Sequence, residues 1–349
     1  MALISQGKYF YGGSQTTALT TRPHRSLPKE QTDCAFYLFE CLRAPFSRNQ
    51  SNKATKFIVA EIYLPLQINI HFTITATYLA MTLDLKFIKL IKSPNNVTQV
   101  ILNRPKQLNA LSNGLWKEIG EVFKYLDQDE DTNVIILSGS GKLFCAGLDI
   151  KEKQKENFMD KEGNAADRGR QIYRDLRWLQ EGFTAIEKCQ KPVIAALHGA
   201  CIGGGLSIIS ACDIIYASRE TIFSLKEVQL GIAADVGALN RLPFMVGNMS
   251  WLKEISLTGR NFDSNEALQF GVISRIFESP KETLQAAFDT ANEISQLGRA
   301  AVQGTKVVLN YSRDHTVDES LNFVAVYNMS QIQNAELQNY IQAFKKSKI

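Results

Sequence analysis

The chain has 349 residues, 45% of them hydrophobic, and a formal charge of +4 from 39 Lys and Arg against 35 Asp and Glu. That is ample apolar material for a large core, in one or two domains, and it excludes a small disulfide-stapled scaffold. The charge is small for this length and the basic residues do not cluster with aromatics, which argues against a nucleic-acid partner.

Residues 1–80 differ from the rest. Their first acid is Glu30, preceded by Lys8, Arg22, Arg25 and Lys29 among many Ser and Thr. That composition is compatible with a mitochondrial transit peptide. The bland alternatives are an unstructured extension or a gene-model artefact upstream of Met81. Either way a poorly ordered segment is expected there. Residues 57–83 are apolar but contain Glu61, Pro65, Gln67, Asn69 and His71, and Asp84 closes them. Polar groups are costly in lipid, so no stable membrane insertion is expected.

Order begins at Leu85. Residues 85–91 and 97–103 read as paired strands around the turn residues Pro94, Asn95 and Asn96. Ser112 is placed to cap a helix whose Leu115, Ile119, Val122, Phe123 and Leu126 share one face. Residues 134–137 form a buried strand. Residues 151–170 are highly charged and read as a solvated loop and helix, with a mobile lid as the functional alternative. Tyr173, Leu176, Leu179, Phe183 and Ile186 mark an amphipathic helix. Strand, turn and helix repeat with apolar strands, which predicts an α/β core.

The densest signal follows the apolar strand at 193–197. Gly199, Gly203, Gly204 and Gly205 sit at a strand-to-helix turn, with residues 206–212 read as the helix. Free N–H groups at such a turn can hold an anion or an oxyanion, and glycine lets the ligand approach. The spacing fits neither the dinucleotide fingerprint nor the Walker loop. Downstream, after a strand at 221–225, come Glu227 and Asp235. An N–H cluster with carboxylates nearby suits proton transfer beside a carbonyl. The bland reading of Glu227 is a salt bridge with Lys226, and that of Asp235 is a helix cap. His198 follows a buried strand and reads as a hydrogen-bonding or packing residue. The six cysteines (Cys34, Cys41, Cys145, Cys189, Cys201 and Cys212) have no metal spacing and read as reduced, in an intracellular protein. The C-terminal part is helical, with Ser264 as a candidate cap and capping-box spacings at Ser279/Glu282 and Thr316/Glu319. The last three residues are SKI, one substitution from the peroxisomal address SKL.

FCAGLDI at 144–150 and HGACIGGGLS at 198–207 together resemble the two oxyanion segments of the crotonase (enoyl-CoA hydratase/isomerase) superfamily. KEVQLGIAADVGALNRLP is most similar to its dienoyl-CoA isomerase branch. The resemblance runs from about residue 97 to about 329. It implies a crotonase-like spiral of ββα units from 81 to 349, with a helical trimerisation region at about 251–349. It implies Leu148 and Gly204 as oxyanion donors, with Ala146, Gly147, Asp149 and Ile150 around the substrate. It implies Glu227 as the base at C2 and Asp235 as the acid at C6 of a 3,5-dienoyl-CoA. Ser207 departs from the family, which carries a carboxylate there. One helical turn beyond Gly204, it is expected to face the same site. Without that carboxylate, hydration should be poor. The resemblance implies no metal or redox cofactor, an acyl-CoA thioester as substrate, and a homotrimer or hexamer. The alternatives are a Δ3-Δ2-enoyl-CoA isomerase, a hydratase-like protein, or a non-catalytic acyl-CoA-binding homologue. The address is the peroxisome, with the mitochondrion as alternative.

Overall fold

Short runs of Val, Ile and Leu build the centre of the molecule, because branched side chains suit a pleated surface that is covered on both faces. The structure, a computed structural model, describes residues 83–155, 161–333, 335, 337–339 and 341–342, together with a short antiparallel pair joining Ile58–Val59 to Thr73–Ile74. The chain divides into Met1–Ala80 and Met81–Ile349. Apart from that pair, residues 1–80, where disorder is expected, lie outside the described residues, as does the SKI tail.

In the second unit the strands are β1 (Ile88–Lys92), β2 (Val97–Leu102), β3 (Val134–Gly139), β4 (Val193–Leu197), β5 (Ala200–Ile202), β6 (Ile214–Ser218), β7 (Ile222–Ser224), β8 (Phe262–Asp263) and β9 (Arg275–Phe277). The helices are α1 (Asn113–Gln128), α2 (Ile150–Lys155), α3 (Ala165–Lys188), α4 (Gly204–Ile209), α5 (Ala238–Arg241), α6 (Met249–Thr258), α7 (Ser264–Phe270), α8 (Pro280–Ser295), α9 (Arg299–Ser312) and α10 (Val317–Gln331). A six-stranded sheet has the order β9-β6-β4-β3-β2-β1, and a three-stranded sheet the order β8-β7-β5. In the large sheet only β1 runs antiparallel to its neighbour. β4 and β6 lie in the large sheet, and the strands that directly follow them, β5 and β7, lie in the small one. This strand-to-strand switch, repeated, is the ββα turn of a crotonase-type fold.

Alternation along the strands feeds two cores, as a period of two requires. Ile135, Leu137, Val193, Ala195 and Leu197 face the larger core, which also takes Leu115, Ile119, Phe123 and Phe183 from α1 and α3. Val134, Ile136, Ile194 and Ala196 face the other way, against Ala287 and Ala291 of α8. Small alanines there let α8 lie close on the sheet. Ser112 caps α1 by accepting the Leu115 N–H at 3.1 Å. Thr316 and Glu319 form a complete capping box on α10.

Two sequence expectations change. Asp263, not Ser264, caps α7; Ser264 is the first helical residue, and its buried hydroxyl instead donates to the carbonyls of Ser218 and Thr221. Tyr173 does not join the buried face of α3: it is 66% exposed, and the buried side chains are confined to the C-terminal half, at Leu179, Phe183, Ala185 and Ile186. The charged 151–170 segment holds α2 and the start of α3, while 156–160 lie outside the described residues.

Candidate active site

The two glycine-bearing segments are stitched together along their backbones. The N–H of Phe144 donates to His198 O at 2.9 Å, that of Cys145 to Ala200 O at 3.1 Å, and that of Ile202 to Cys145 O at 3.0 Å. Gly147 completes the approach. Its φ is +85°, and a Cβ there would stand 2.9 Å from Ile202 O, so only glycine lets the two chains pass this closely. The thiols of Cys145 and Cys201 sit inside this junction, wholly buried. Burial pushes the Cys145 thiol up to about 12 and that of Cys201 well above its usual range.

Two N–H groups emerge from the junction. Leu111 donates to Gly147 O at 2.7 Å and Asp149 donates to Leu111 O at 3.2 Å. In such a bridge the intervening N–H points the other way. That group belongs to Leu148, and it meets no acceptor among the described residues. Gly204 is the first residue of α4, and its N–H is one that a helix leaves unpaired. It too meets no acceptor among the described residues.

The residues beside Leu148 hold it. The Ala146 N–H donates to Leu108 O at 3.1 Å. Asp149 pairs with Arg104 at 2.9 Å, both side chains largely buried, and accepts the Glu152 N–H at 3.2 Å. Burial would raise the Asp149 pKa, but that N–H and the guanidinium outweigh it and hold the carboxyl below the usual range. Ile150 is exposed at the start of α2. Arg104 has no motif of its own in the sequence. Its role shows only where β2 ends against the FCAGLDI segment.

Glu227 opens a short 3-10 turn, Glu227–Leu230, after β7. Its carboxylate lies against the N-terminus of α4: a Cβ on Gly203 would stand 3.2 Å from its Oε1. The Lys226 ammonium does not pair with it but donates to Gly259 O at 2.7 Å. Glu227 Oε2 is buried with no hydrogen-bond partner among the described residues. Burial pushes the Glu227 pKa above the usual carboxylate range; its own N–H offsets part of this, and the charge of Asp235 adds to it. Burial likewise raises Asp235, partly offset by that residue's own N–H. Gly237, not Asp235, stands at the cap of α5. A cavity of about 390 Å³ meets the site at Glu227 and is walled by apolar residues including Leu225, Val228, Ile232 and Leu239; Leu148, Gly204 and Asp235 do not line it.

Ser207 is fully buried, and its Oγ accepts the Ala238 N–H at 3.3 Å. The spacing expected its side chain to face the Gly204 site. In the structure its hydroxyl is engaged with the segment that follows Asp235. His198 bonds Gly141 O through Nε2 at 3.0 Å. Gln180, for which the sequence offers no local signal, donates to Asp235 O at 2.8 Å across 55 residues.

Two free N–H groups at the glycine junction, and against one of them a carboxylate with a buried, unpartnered oxygen and a second carboxylate acting on its charge, can polarise a carbonyl and move protons on the adjacent carbon. Residues 92–348 match the enoyl-CoA hydratase/isomerase family model. The mitochondrial Δ(3,5)-Δ(2,4)-dienoyl-CoA isomerase of Mus musculus is 44% identical over 257 residues, covering 73% of this chain and 78% of that protein. The peroxisomal Δ(3,5)-Δ(2,4)-dienoyl-CoA isomerase of Arabidopsis thaliana is 43% identical, covering 71% of this chain and 90% of that protein. Among solved structures, the enoyl-CoA hydratase of Bacillus anthracis superposes with a TM-score of 0.67 at 27% identity, over 75% of this chain and 97% of that one. The family match and these relatives show that the chain belongs to the enoyl-CoA hydratase/isomerase family.

Proposed function

We propose that this protein isomerises a 3,5-dienoyl-CoA thioester to the 2,4-dienoyl-CoA, as the names of its relatives say of them. The observation that carries the reading is the pair of raised carboxylates, Glu227 and Asp235, one of them unpaired against the Gly203–Gly204 turn. The thioester oxygen sits between the N–H groups of Leu148 and Gly204. Glu227 takes a proton from C2, and the electron pair delocalises onto the thioester oxygen on one side and through the diene to C6 on the other. Asp235 delivers a proton to C6, which leaves double bonds at C2 and C4. Removing one such N–H donor costs roughly 3 kcal/mol of transition-state stabilisation. Water addition would need a second acid to orient the water beside Glu227, and Ser207 supplies none, being buried and engaged with Ala238.

The test is turnover of a 3,5-dienoyl-CoA and of a 3-enoyl-CoA by the native protein and by Asp235→Asn. Loss of dienoyl turnover alone supports the reading. Equal loss on both substrates would favour a site in which Asp235 only maintains the fold, no loss on either would remove Asp235 as the acid, and turnover of the 3-enoyl-CoA alone by the native protein would favour a monofunctional Δ3-Δ2 isomerase using Glu227 alone.

Two features of setting belong to the same proposal. The relatives are mitochondrial in animals and peroxisomal in a plant. The SKI terminus favours the peroxisome, and a fluorescent fusion with a free C-terminus, with and without those residues, tests it. The exposed apolar side chains Val317, Leu321, Val326 and Met329 of α10 support a trimer or hexamer, which light scattering would read directly. Among the described residues no helix is long and apolar enough to cross a membrane.

A further inference from the structure

Asp235 stands on neither helix nor strand. It lies in the irregular stretch between the 3-10 turn of Glu227 and helix α5. A proton donor must be held to within a fraction of an ångström, and coil alone does not do that. Three contacts supply the missing restraint. On one side, Gln180 Nε2 donates to the carbonyl of Asp235 itself at 2.8 Å. Three residues further on, the Ala238 N–H donates to Ser207 Oγ at 3.3 Å. Below, the Arg241 guanidinium fills the space where a side chain at Gly237 would stand, and it is fixed by Glu187 Oε2 at 2.9 Å and Thr184 Oγ1 at 3.2 Å.

These partners come from two helices. Gln180, Thr184 and Glu187 are spaced four and three apart, so they share one face of α3. Ser207 lies one turn beyond Gly204 on α4, the helix whose first N–H points into the site. The segment carrying Asp235 is therefore gripped between α3 and the oxyanion helix. Glu227 follows β7 in the chain, and among the described residues neither Gln180 nor Ser207 makes a hydrogen bond to it.

We propose that Gln180 and Ser207 are positioning residues for Asp235, which clamp the proton donor in register with the N–H of Gly204 while leaving the placement of the base to other elements. The proposal rests on the reading of Asp235 as the acid. It gives the serine at 207 a role of its own. A hydroxyl there accepts an N–H without adding a third negative charge near two carboxylates that burial already makes reluctant to ionise.

The clamp is tested by separating the two half-reactions. Exchange of the C2 hydrogens of a saturated acyl-CoA in D2O needs only the base and the oxyanion donors. Full dienoyl isomerisation needs the acid as well. Gln180→Met, Ser207→Ala and the double variant remove the two hydrogen bonds with little change of volume, and thermal melting verifies that each remains folded. The expected result is a fall in kcat for isomerisation of roughly 10- to 100-fold, with KM and C2 exchange within about twofold of the native protein. Asp235→Asn is the reference, with isomerisation lost and exchange kept. Native turnover in both single variants and the double, beside an inactive Asp235→Asn, would overturn the clamp and leave Asp235 as the acid. A parallel fall of exchange and isomerisation would also overturn it, since the residues would then support the whole site. Native isomerisation by Asp235→Asn would remove the acid assignment, and the clamp with it.

Discussion

Glu227 carries the largest conflict between stability and chemistry. Its carboxylate is mostly buried, one oxygen has no partner among the described residues, and Asp235 adds like charge. Burying an ion without a counter-ion is costly. The folded pKa is raised above the ordinary value near 4.5. The stability this group lends is therefore fully present below that value and is lost as pH rises through the folded pKa. Glu227→Gln should abolish isomerisation and yet melt higher than the native protein at about pH 7, by about 1 kcal/mol or roughly 2–4 °C. The gap should close near pH 4, and an equal gap at both values would show that charge is not the cause. Activity carries the same signature. The active form has one proton on the pair, so kcat/KM should be bell-shaped, with both limbs above the ordinary carboxylate range. In Asp235→Asn, which keeps only C2 exchange, the exchange rate should rise with pH to a plateau with no descending limb, as a pH series of exchange in D2O would show.

At the scale of elements, the site depends on two segments passing within van der Waals contact. Gly147→Ala places a methyl against Ile202 O on a backbone of positive φ. The expected result is a kcat loss on the order of 100-fold, with destabilisation of about 1–3 kcal/mol. An unchanged kcat would mean that the Leu148 and Gly204 donors do not act together. Much of this level was legible beforehand. Apolar runs marked β2, β3 and β4, Ser112 and Thr316 announced their helices, and the glycines marked the junction, because each of these signals is local. What escaped is long-range. Gln180 reaches Asp235 from another helix, Arg104 reaches Asp149 from the end of β2, and Ser264 buries its hydroxyl on β6 and not on its own helix. No periodicity reports which polar side chain of a helix will meet a loop folded over it. The face of α3 was misjudged at Tyr173 for a related reason: the pattern shows that a helix is amphipathic, not how much of its length is covered.

At the scale of the whole molecule, every contact described for the site lies within Met81–Ile349. Residues 81–349 expressed alone should unfold in one cooperative transition and isomerise at close to the full-length rate. A broad, non-cooperative melt would assign residues 1–80 a structural role. The junction of the oxyanion segments adds a means of watching the fold from outside. Cys145 and Cys201 are sealed within it, and burial keeps their thiols protonated at neutral pH. A protonated, enclosed thiol is a poor nucleophile. Iodoacetamide should therefore leave these two positions untouched while the enzyme is active, and peptide mass analysis should find them modified only as fast as the junction opens. Labelling and loss of activity should share one rate constant, so that the cysteines serve as a clock for the opening of the active site.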